Sequence, residues 1–288
     1  MEHQVFERAE SFIYNNARLI DRHLFAYLFT SGAREPVLAA LRAYQNEDGG
    51  FGNGLEPDIR APVSQPQPVE IAFHILDMID GFDDPMVARA CDYLMTITGE
   101  AGGVPFSLPT LNPYPHAPWW QAAENPPPSL NPTAALAGLL LKHGVDHPWV
   151  ARATAFCWRE TAASTSAEYH DVMPMLLFLE HAAERERATH ELARIQERVL
   201  AAGTVALDPA AEGYVHRPLD WATAPDRAAR SWFSNDLIAS ELAQLVAMQQ
   251  EDGGWLIAWP PISPACELEW RGWLTVGVLR KMRAFGRV

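Results

Sequence analysis

The sequence predicts an all-α fold that is built by repeating one helix hairpin, and three observations support this. The phrase QNEDGGF at residues 45–51 returns as QQEDGGW at residues 249–255, each time after an apolar helical stretch. A second phrase, GFDDPMVARA at residues 81–90, matches GVDHPWVARA at residues 144–153. Apolar residues recur with helical periodicity along the chain, and no convincing strand pattern appears. Such repeats are typical of folds that stack one unit several times.

The first phrase predicts a helix end, a tight turn and an aromatic ring that folds back onto the turn. Its two glycines supply the positive φ angles that close a helix. The aspartate before them accepts hydrogen bonds from nearby backbone amides. Weaker copies of the turn are predicted at residues 102–106 and 212–214.

The helical periodicity also places the individual elements. It predicts helices near residues 4–15, 17–29, 34–45, 67–80, 84–97, 131–143, 147–162, 168–183, 185–202, 234–249 and 265–284.

The second phrase predicts the turn inside each hairpin. A glycine ends one helix, an aspartate (Asp83 or Asp146) caps the next, and a proline follows at the first helical position. The same preference makes Ser234 or Asn235 the N-cap of the helix before the last turn.

Two long irregular stretches, at about 104–132 and 203–233, interrupt the helices of what we expect to be one domain over 1–288. Loops of this length are usually binding loops or lids, or else disordered, and their tryptophans argue against disorder. They are predicted to form the mouth of a pocket. Their candidate substrate-binding residues are His116, Trp119, Trp120, Asp220, Trp221, Arg230 and Trp232.

Composition narrows the classes of partner. A net charge of −14 makes a nucleic-acid or anionic-membrane surface unfavourable, and no apolar run is long enough for a transmembrane helix. The N-terminus lacks the pattern of a secretion signal. Three dispersed cysteines, Cys91, Cys157 and Cys266, favour a reducing compartment and buried thiols. We therefore expect a cytoplasmic protein.

The Gln-x-x-Asp-Gly-Gly-Phe/Trp units resemble the QW repeats of squalene–hopene and oxidosqualene cyclases, and the related repeat of protein prenyltransferase β subunits. The stretch from Gln45 to Pro68 also looks like bacterial proteins known by this repeat alone. The resemblance implies an α/α toroid, here small or incomplete, in which an outer ring of helices wraps an inner ring around an apolar cavity.

The signatures that define activity in those families are missing from this chain. No Asp-x-Asp-Asp acid motif and no Asp-Asp-x-x-Asp metal motif occurs, and the nearest string, residues 80–84, lies in a hairpin turn. The Asp-x-Cys pair of the zinc prenyltransferases is absent, since Cys266 is followed by Glu267. We expect no metal and no cofactor.

Candidate catalytic groups lie in the loop at residues 54–60, which follows the first turn. Glu56 and Asp58 flank a proline, and Arg60 follows them. One carboxyl group shielded from water is suited to general-acid chemistry while the arginine keeps the other ionised. The alternative is a surface loop with a local ion pair.

The last helix carries Glu269, a further catalytic candidate, and Trp270, a candidate for the pocket wall. Glu269 and Arg271 diverge by about 200° on a helix, so we expect one to face the cavity and the other to face solvent. Packing of the tryptophans onto the helices is the alternative to a binding role for them.

The leading functional hypothesis is a terpene cyclase-like enzyme that converts a small hydrophobic, isoprenoid-like substrate by acid–base chemistry. Trp119, Trp120, Trp221 and Trp270 are the predicted cavity wall. Two alternatives remain open. Tryptophan platforms with paired carboxylates also suit a carbohydrate-active enzyme, and the missing motifs suit a binding or scaffold protein without catalysis.

Overall fold

The computed structural model describes residues 2–208 and 211–288. Pro209 and Ala210, inside the predicted loop 203–233, lie outside the described residues, as does Met1. The α-helices are α1 (Glu2–Asn16), α2 (Leu19–Phe29), α3 (Arg34–Arg42), α4 (Pro66–Met78), α5 (Pro85–Ile97), α6 (Leu130–Lys142), α7 (Pro148–Ala163), α8 (Tyr169–His181), α9 (Arg185–Ala202), α10 (Pro218–Trp221), α11 (Asn235–Ala247) and α12 (Pro264–Ala284).

The all-α prediction is confirmed, and every predicted helix is present. The largest difference is at the end of α3, which stops at Arg42 rather than at residue 45. Within the described ranges there is no β-strand beyond isolated bridges. Short 3₁₀ turns at Pro109–Leu111, Pro118–Trp120 and Ala228–Trp232, together with α10, are the helical segments that periodicity does not find, because each is shorter than two helical turns.

The first and last turns form as predicted, except that only the first glycine of each pair has a positive φ angle. Gly49 and Gly253 adopt φ angles of 88° and 94°. In the first turn the Gln45 side chain donates to Gly49 O at 2.9 Å, and in the last turn Gln249 donates to Gly253 O at the same distance. The aromatic ring at the end of the last phrase, Trp255, is buried and donates to a helix carbonyl.

Each turn docks on a helix through its glycine. A Cβ atom at Gly49 would lie 2.2 Å from Arg89 O in α5, and one at Gly253 would lie 2.1 Å from Arg8 O in α1. The weaker copy at Gly102 docks in the same way on α7, where a Cβ atom would lie 2.8 Å from a backbone oxygen. Only glycine permits so close an approach between a turn and a helix backbone.

The fourth predicted copy, at residues 212–214, is wrong as a docked turn. Gly213 has a positive φ of 84°, but a Cβ atom there would have no neighbour within 4 Å among the described residues, and the Tyr214 side chain is exposed. The glycine supplies a turn without the helix contact that locks the other copies.

The hairpin caps differ from the prediction by one residue. Asp84, not Asp83, caps α5 by accepting from Met86 N at 2.9 Å. His147, not Asp146, caps α7 in the same position. The residue directly before the proline has the extended backbone that a cap needs, so the side chain one residue earlier is left for other contacts.

The chain groups into two compact units. The central unit is Ala33–Ile195. The terminal unit combines the described parts of Met1–Gly32 and Gln196–Val288. In the central unit α6 packs against α4, α7 and α8, and Gly138 allows the close approach of α6 to the α8 backbone. In the terminal unit α12 packs against α1 and α2. The single domain over 1–288 stays a prediction.

No helix in the described part of the chain is both long enough and apolar enough to span a membrane.

Candidate functional site

The loop at residues 54–60 of the central unit, here called the carboxylate loop, holds two buried acidic side chains. Glu56 is 3% exposed and Asp58 is 2% exposed. A Glu56 oxygen accepts from Asp58 N at 3.2 Å. Neither side chain lies in solvent, so the loop is not a surface loop at these two residues, while the local ion pair of that alternative stays a prediction.

Backbone hydrogen bonds hold the carboxylate loop against the loop at about residues 104–132, here called the proline-rich loop. Arg60 N donates to Pro115 O at 3.0 Å, and Ala117 N donates to Asp58 O at 2.9 Å. These bonds flank the bridge between Ile59 and His116. The short ladder joins two stretches that are far apart in sequence, so the predicted acid residues and the predicted aromatic residues are brought together.

Arg60 also contacts its own loop. Its guanidinium donates to Pro57 O at 3.3 Å and lies beside Gly54, where a Cβ atom would be 3.5 Å away. These contacts fix the arginine at the loop that carries both carboxylates.

The predicted aromatic residues of the proline-rich loop divide into buried and exposed members. Trp120 is buried and stacks on Phe106 with ring centroids 4.8 Å apart. Its indole nitrogen has no hydrogen-bond partner among the described residues. Trp119 is 45% exposed. The ring nitrogens of His116 contact Tyr114 O at 2.6 Å and the Gln121 side chain at 3.1 Å, so local bonds orient this histidine.

In the terminal unit, Asp220 belongs to a charged cluster. One carboxylate oxygen lies 2.7 Å from Lys281 Nζ, and the other accepts from Arg217 N at 2.9 Å at the start of α10. Burial opposes the charged form of Asp220. The attraction of Lys281 and these hydrogen bonds outweigh that effect, so the pKa of Asp220 lies below its usual value.

Glu241 on α11 is the member of this cluster that the sequence analysis missed. It is 1% exposed, and one carboxylate oxygen has no hydrogen-bond partner in the described chain, with Arg217 Nη1 at 4.0 Å. Burial raises the pKa of the Glu241 carboxyl; Arg217 opposes the rise and the nearby Asp220 adds to it. Its spacing from the buried Ile238 and Leu242 places it on the apolar face of α11, which is the signal that could have found it.

The other predicted residues of this region have mainly structural contacts. Trp221 is buried with its ring centroid 5.9 Å from that of Trp232. Arg230 donates to Phe233 O at 2.7 Å and also contacts Asn235. Ser234 is the N-cap of α11, as predicted.

On α12 Arg271 is buried, so it is not a solvated member of the pair with Glu269. Its Nη2 atom donates to both carboxylate oxygens of Asp252, at 2.7 and 2.8 Å, in the last turn. Glu269 is partly buried. Trp270 meets Trp259 edge to face, with ring centroids 5.3 Å apart.

No group of three or more His, Cys, Asp or Glu residues in the described ranges is arranged to hold a metal ion. All three cysteines are buried, and none of them is in a disulfide. Burial raises the pKa of the Cys91 thiol to about 12 and also raises that of Cys157. Neither of these two thiols is activated as a nucleophile.

Two solved structures share this fold. A crystal structure of a protein from Actinoplanes matches with a TM-score of 0.61 and 16% identity, over 99% of both chains. The type II terpene cyclase MstE from Scytonema, a variant in complex with its substrate geranylgeranyl dihydroxybenzoate, matches with a TM-score of 0.55 and 13% identity, over 100% of this chain and 98% of that one. Neither a protein-family sequence model nor a curated protein sequence matches the chain.

The fold is therefore terpene cyclase-like, and the predicted fold class, an all-α chain of the α/α-toroid kind, is confirmed by these likenesses. At 13–16% identity the likeness concerns the fold alone. Function has to be argued from the residues that the fold positions.

Proposed function

We propose that this protein binds a small hydrophobic, isoprenoid-like molecule and converts it by proton transfer, with Glu56 or Asp58 as the acid. The observation that carries this proposal is the burial of both carboxyl groups, at 3% and 2% exposure, in one loop. Two carboxyl groups that are shielded from solvent in one loop suit general-acid chemistry on an apolar substrate.

The aromatic residues beside the carboxylate loop suit an apolar substrate. The loop is bonded to the segment that leads into Trp119 and Trp120, and Trp120 adds a stacked partner, Phe106. The fold likeness adds support, because the terpene cyclase of similar fold was solved with geranylgeranyl dihydroxybenzoate as substrate.

In the proposed step the O–H bond of the acid breaks as a C–H bond forms on an alkene carbon of the substrate. The acid becomes a carboxylate and the substrate a carbocation. Loss of a proton from a neighbouring carbon back to a carboxylate restores the enzyme and gives an isomer of the substrate. The balance needs no oxidant, reductant or metal.

The test is to incubate the protein with geranylgeranyl dihydroxybenzoate and with shorter prenyl analogues, and to separate isomers of unchanged mass by chromatography coupled to mass spectrometry. We expect the Glu56→Gln/Asp58→Asn double variant to lose conversion by about 100-fold or more, as general acids contribute about 10²–10⁴-fold. Glu124→Gln, at an exposed position on the proline-rich loop, is the matched control. Full activity in the double variant contradicts the acid role, and binding without conversion supports a binding protein instead.

One observation favours a second candidate, a carbohydrate-active enzyme. The Trp119 side chain is 45% exposed, and exposed indole faces suit stacking against sugar rings. A panel of oligosaccharides screened for intrinsic fluorescence change, with Trp119→Ala as the comparison, separates the two. A saturable response that disappears in Trp119→Ala supports this candidate, and no response in the panel removes it.

A further inference from the structure

Three aromatic rings of the terminal unit form a right-angled group, here called the aromatic corner: Tyr214, Trp259 and Trp270. The ring centroids of Tyr214 and Trp259 are 5.8 Å apart with planes at 87°. Those of Trp259 and Trp270 are 5.3 Å apart with planes at 85°. The Trp259 ring therefore lies at about a right angle to two neighbouring rings. One belongs to Tyr214 in the loop before α10, and the other belongs to Trp270 on α12.

The aromatic corner offers carbon surface to solvent. Tyr214 is 51% exposed, and Trp259 and Trp270 are each partly exposed. Both indole nitrogens are buried and have no hydrogen-bond partner in the part of the chain that the structure describes. The exposed part of each indole is therefore its carbon framework, whose faces carry the negative side of the ring quadrupole.

This geometry selects among ligand classes. A sugar or a flat aromatic ligand stacks on one planar platform, whereas rings at right angles contact a compact, roughly spherical group from several sides. The negative faces of aromatic rings attract a cation, and quaternary ammonium groups are recognised by such rings. Because their methyl groups cover the charge, these cations lose little hydration when rings surround them.

Charge in this region also favours a cation. The whole chain carries a net charge of −14, and the exposed Glu212 lies two residues before Tyr214. A negative field raises the local concentration of cations. A further ring, that of His216, lies 5.0 Å from that of Tyr214.

We propose that Tyr214, Trp259 and Trp270 form a binding site for an organic cation of the quaternary ammonium class. The site lies wholly within the terminal unit and does not depend on Glu56 or Asp58. Its probe carries no isoprenoid chain, so failure of this site and failure of the proposed catalysis are separate outcomes.

The test is isothermal titration calorimetry of the whole chain at pH 8 with choline chloride and with 3,3-dimethylbutan-1-ol, which has the same shape without the charge. We expect choline to bind with a millimolar Kd and the neutral analogue to bind about tenfold more weakly or not at all. Equal affinities for the two would show a merely apolar patch and overturn the proposal. So would the absence of choline binding up to about 50 mM.

Variants of the exposed ring assign the site to the aromatic corner. Tyr214→Ala should weaken choline binding by about fivefold to tenfold, while Tyr214→Phe should keep it, since the ring rather than the hydroxyl provides the interaction. Trp119→Ala, which removes an exposed tryptophan of the central unit, should leave the Kd unchanged. An unchanged Kd in Tyr214→Ala, or an equal loss in Trp119→Ala, contradicts the assignment.

Discussion

The first turn (residues 45–51) and the last turn (residues 249–255) have the same backbone construction but different side-chain partners. In the first turn Asp48 accepts from Gly50 N at 2.9 Å and from the Ser64 hydroxyl at 2.7 Å. In the last turn Asp252 accepts from the following glycine in the same way, at 3.1 Å. Its second partner is the Arg271 guanidinium, which forms two bonds to it.

The difference shows that the repeated sequence phrase determines the backbone of the turn but not the side chains that bond to its aspartate. Arg271 reaches three features at once: Asp252, the carbonyl of Trp255 at 3.2 Å, and the face of the Phe12 ring at 4.7 Å. The first turn has a neutral hydroxyl in the corresponding role. The aspartate of the last turn therefore has an ion-pair partner, whereas the aspartate of the first turn has a hydroxyl partner.

Substitution of the docking glycines has the largest expected effect and tests whether both turns are equally constrained. Gly49→Ala and Gly253→Ala each place a Cβ atom about 2 Å from a backbone oxygen. Positive φ costs alanine about 1–2 kcal/mol, and overpacking adds about 1–3 kcal/mol. We expect each variant to lower the free energy of unfolding in urea by about 3 kcal/mol or more.

Gly213→Ala is the matched control for the docking contact. Gly213 has a positive φ of 84°, but a Cβ atom there would meet no atom within 4 Å in the part of the chain that the structure describes. Gly213→Ala should therefore lower the free energy of unfolding by only the ~1–2 kcal/mol that a positive φ angle costs alanine. If all three variants lost the same amount, close docking of the turns would contribute nothing beyond the φ angle.

Removal of the second partner of each aspartate tests the difference between the turns. Arg271→Ala deletes the ion pair between the buried arginine and the half-exposed Asp252, together with the contact with Phe12, and Asp252 then regains water. We expect a loss of about 2–3 kcal/mol. Ser64→Ala deletes a hydroxyl that donates to Asp48 and accepts from Asn46, and should cost about 1–2 kcal/mol.

The control for the arginine is Arg271→Lys, which keeps the charge but has no second nitrogen to donate to the Trp255 carbonyl. The free energy of unfolding of Arg271→Lys in urea should lie between that of the wild type and that of Arg271→Ala. Equal losses in Ser64→Ala and Arg271→Ala would mean that the two turns are held with the same strength despite their different partners.

The sequence predicts the helices and the turns well because both depend on local patterns. Periodicity identifies every long helix, and the glycine pair identifies each docked turn. The caps show where local reasoning stops. Asp83 and Asp84 are adjacent aspartates, and only the structure shows that Asp84 caps α5 while Asp83 pairs with Arg34 at 2.9 Å.

The candidate site is less predictable because it depends on contacts between distant segments. The bridge between Ile59 and His116 joins two loops that share no pattern. The burial of Glu56 and Asp58 follows from that packing and not from their own sequence. Arg271, on an otherwise ordinary helix face, is buried because the last turn offers it Asp252.

Acid titration extends the comparison to two partly buried aspartates, one in each unit. Burial opposes the charged form of Asp77, but hydrogen bonds from Lys142 and His143 outweigh it and lower its pKa; Lys281 acts likewise on Asp220. An aspartate with a lowered folded pKa contributes stability that is complete above the unfolded value of about 3.9 and is lost as the pH falls below it. We expect Asp77→Asn to cost about 1 kcal/mol at pH 7 and to flatten the loss of stability below about pH 4.

The measurement is the free energy of unfolding at a series of pH values. Asp220→Asn should give the same flattening from the terminal unit. A variant whose acid limb matched that of the wild type would contradict the ion pair in its unit.

Glu241→Gln has the smallest expected effect, and its pH dependence has the opposite sign to that of the two aspartates. Because burial raises the pKa of Glu241, the folded chain binds this proton more tightly than the unfolded chain does. Wild-type stability from this group is therefore greatest below the unfolded value of about 4.3 and falls as the pH rises toward the folded value. Glutamine has no proton to lose, so the stability of the variant relative to the wild type should increase with pH across that interval, by about 1 kcal/mol or less. Glu197→Gln, at an exposed position of α9, is the control. A flat difference for Glu241→Gln would mean that Arg217 and Lys281 compensate fully for the burial of this carboxyl group, whereas a rising one marks it as a proton-holding group within the terminal unit.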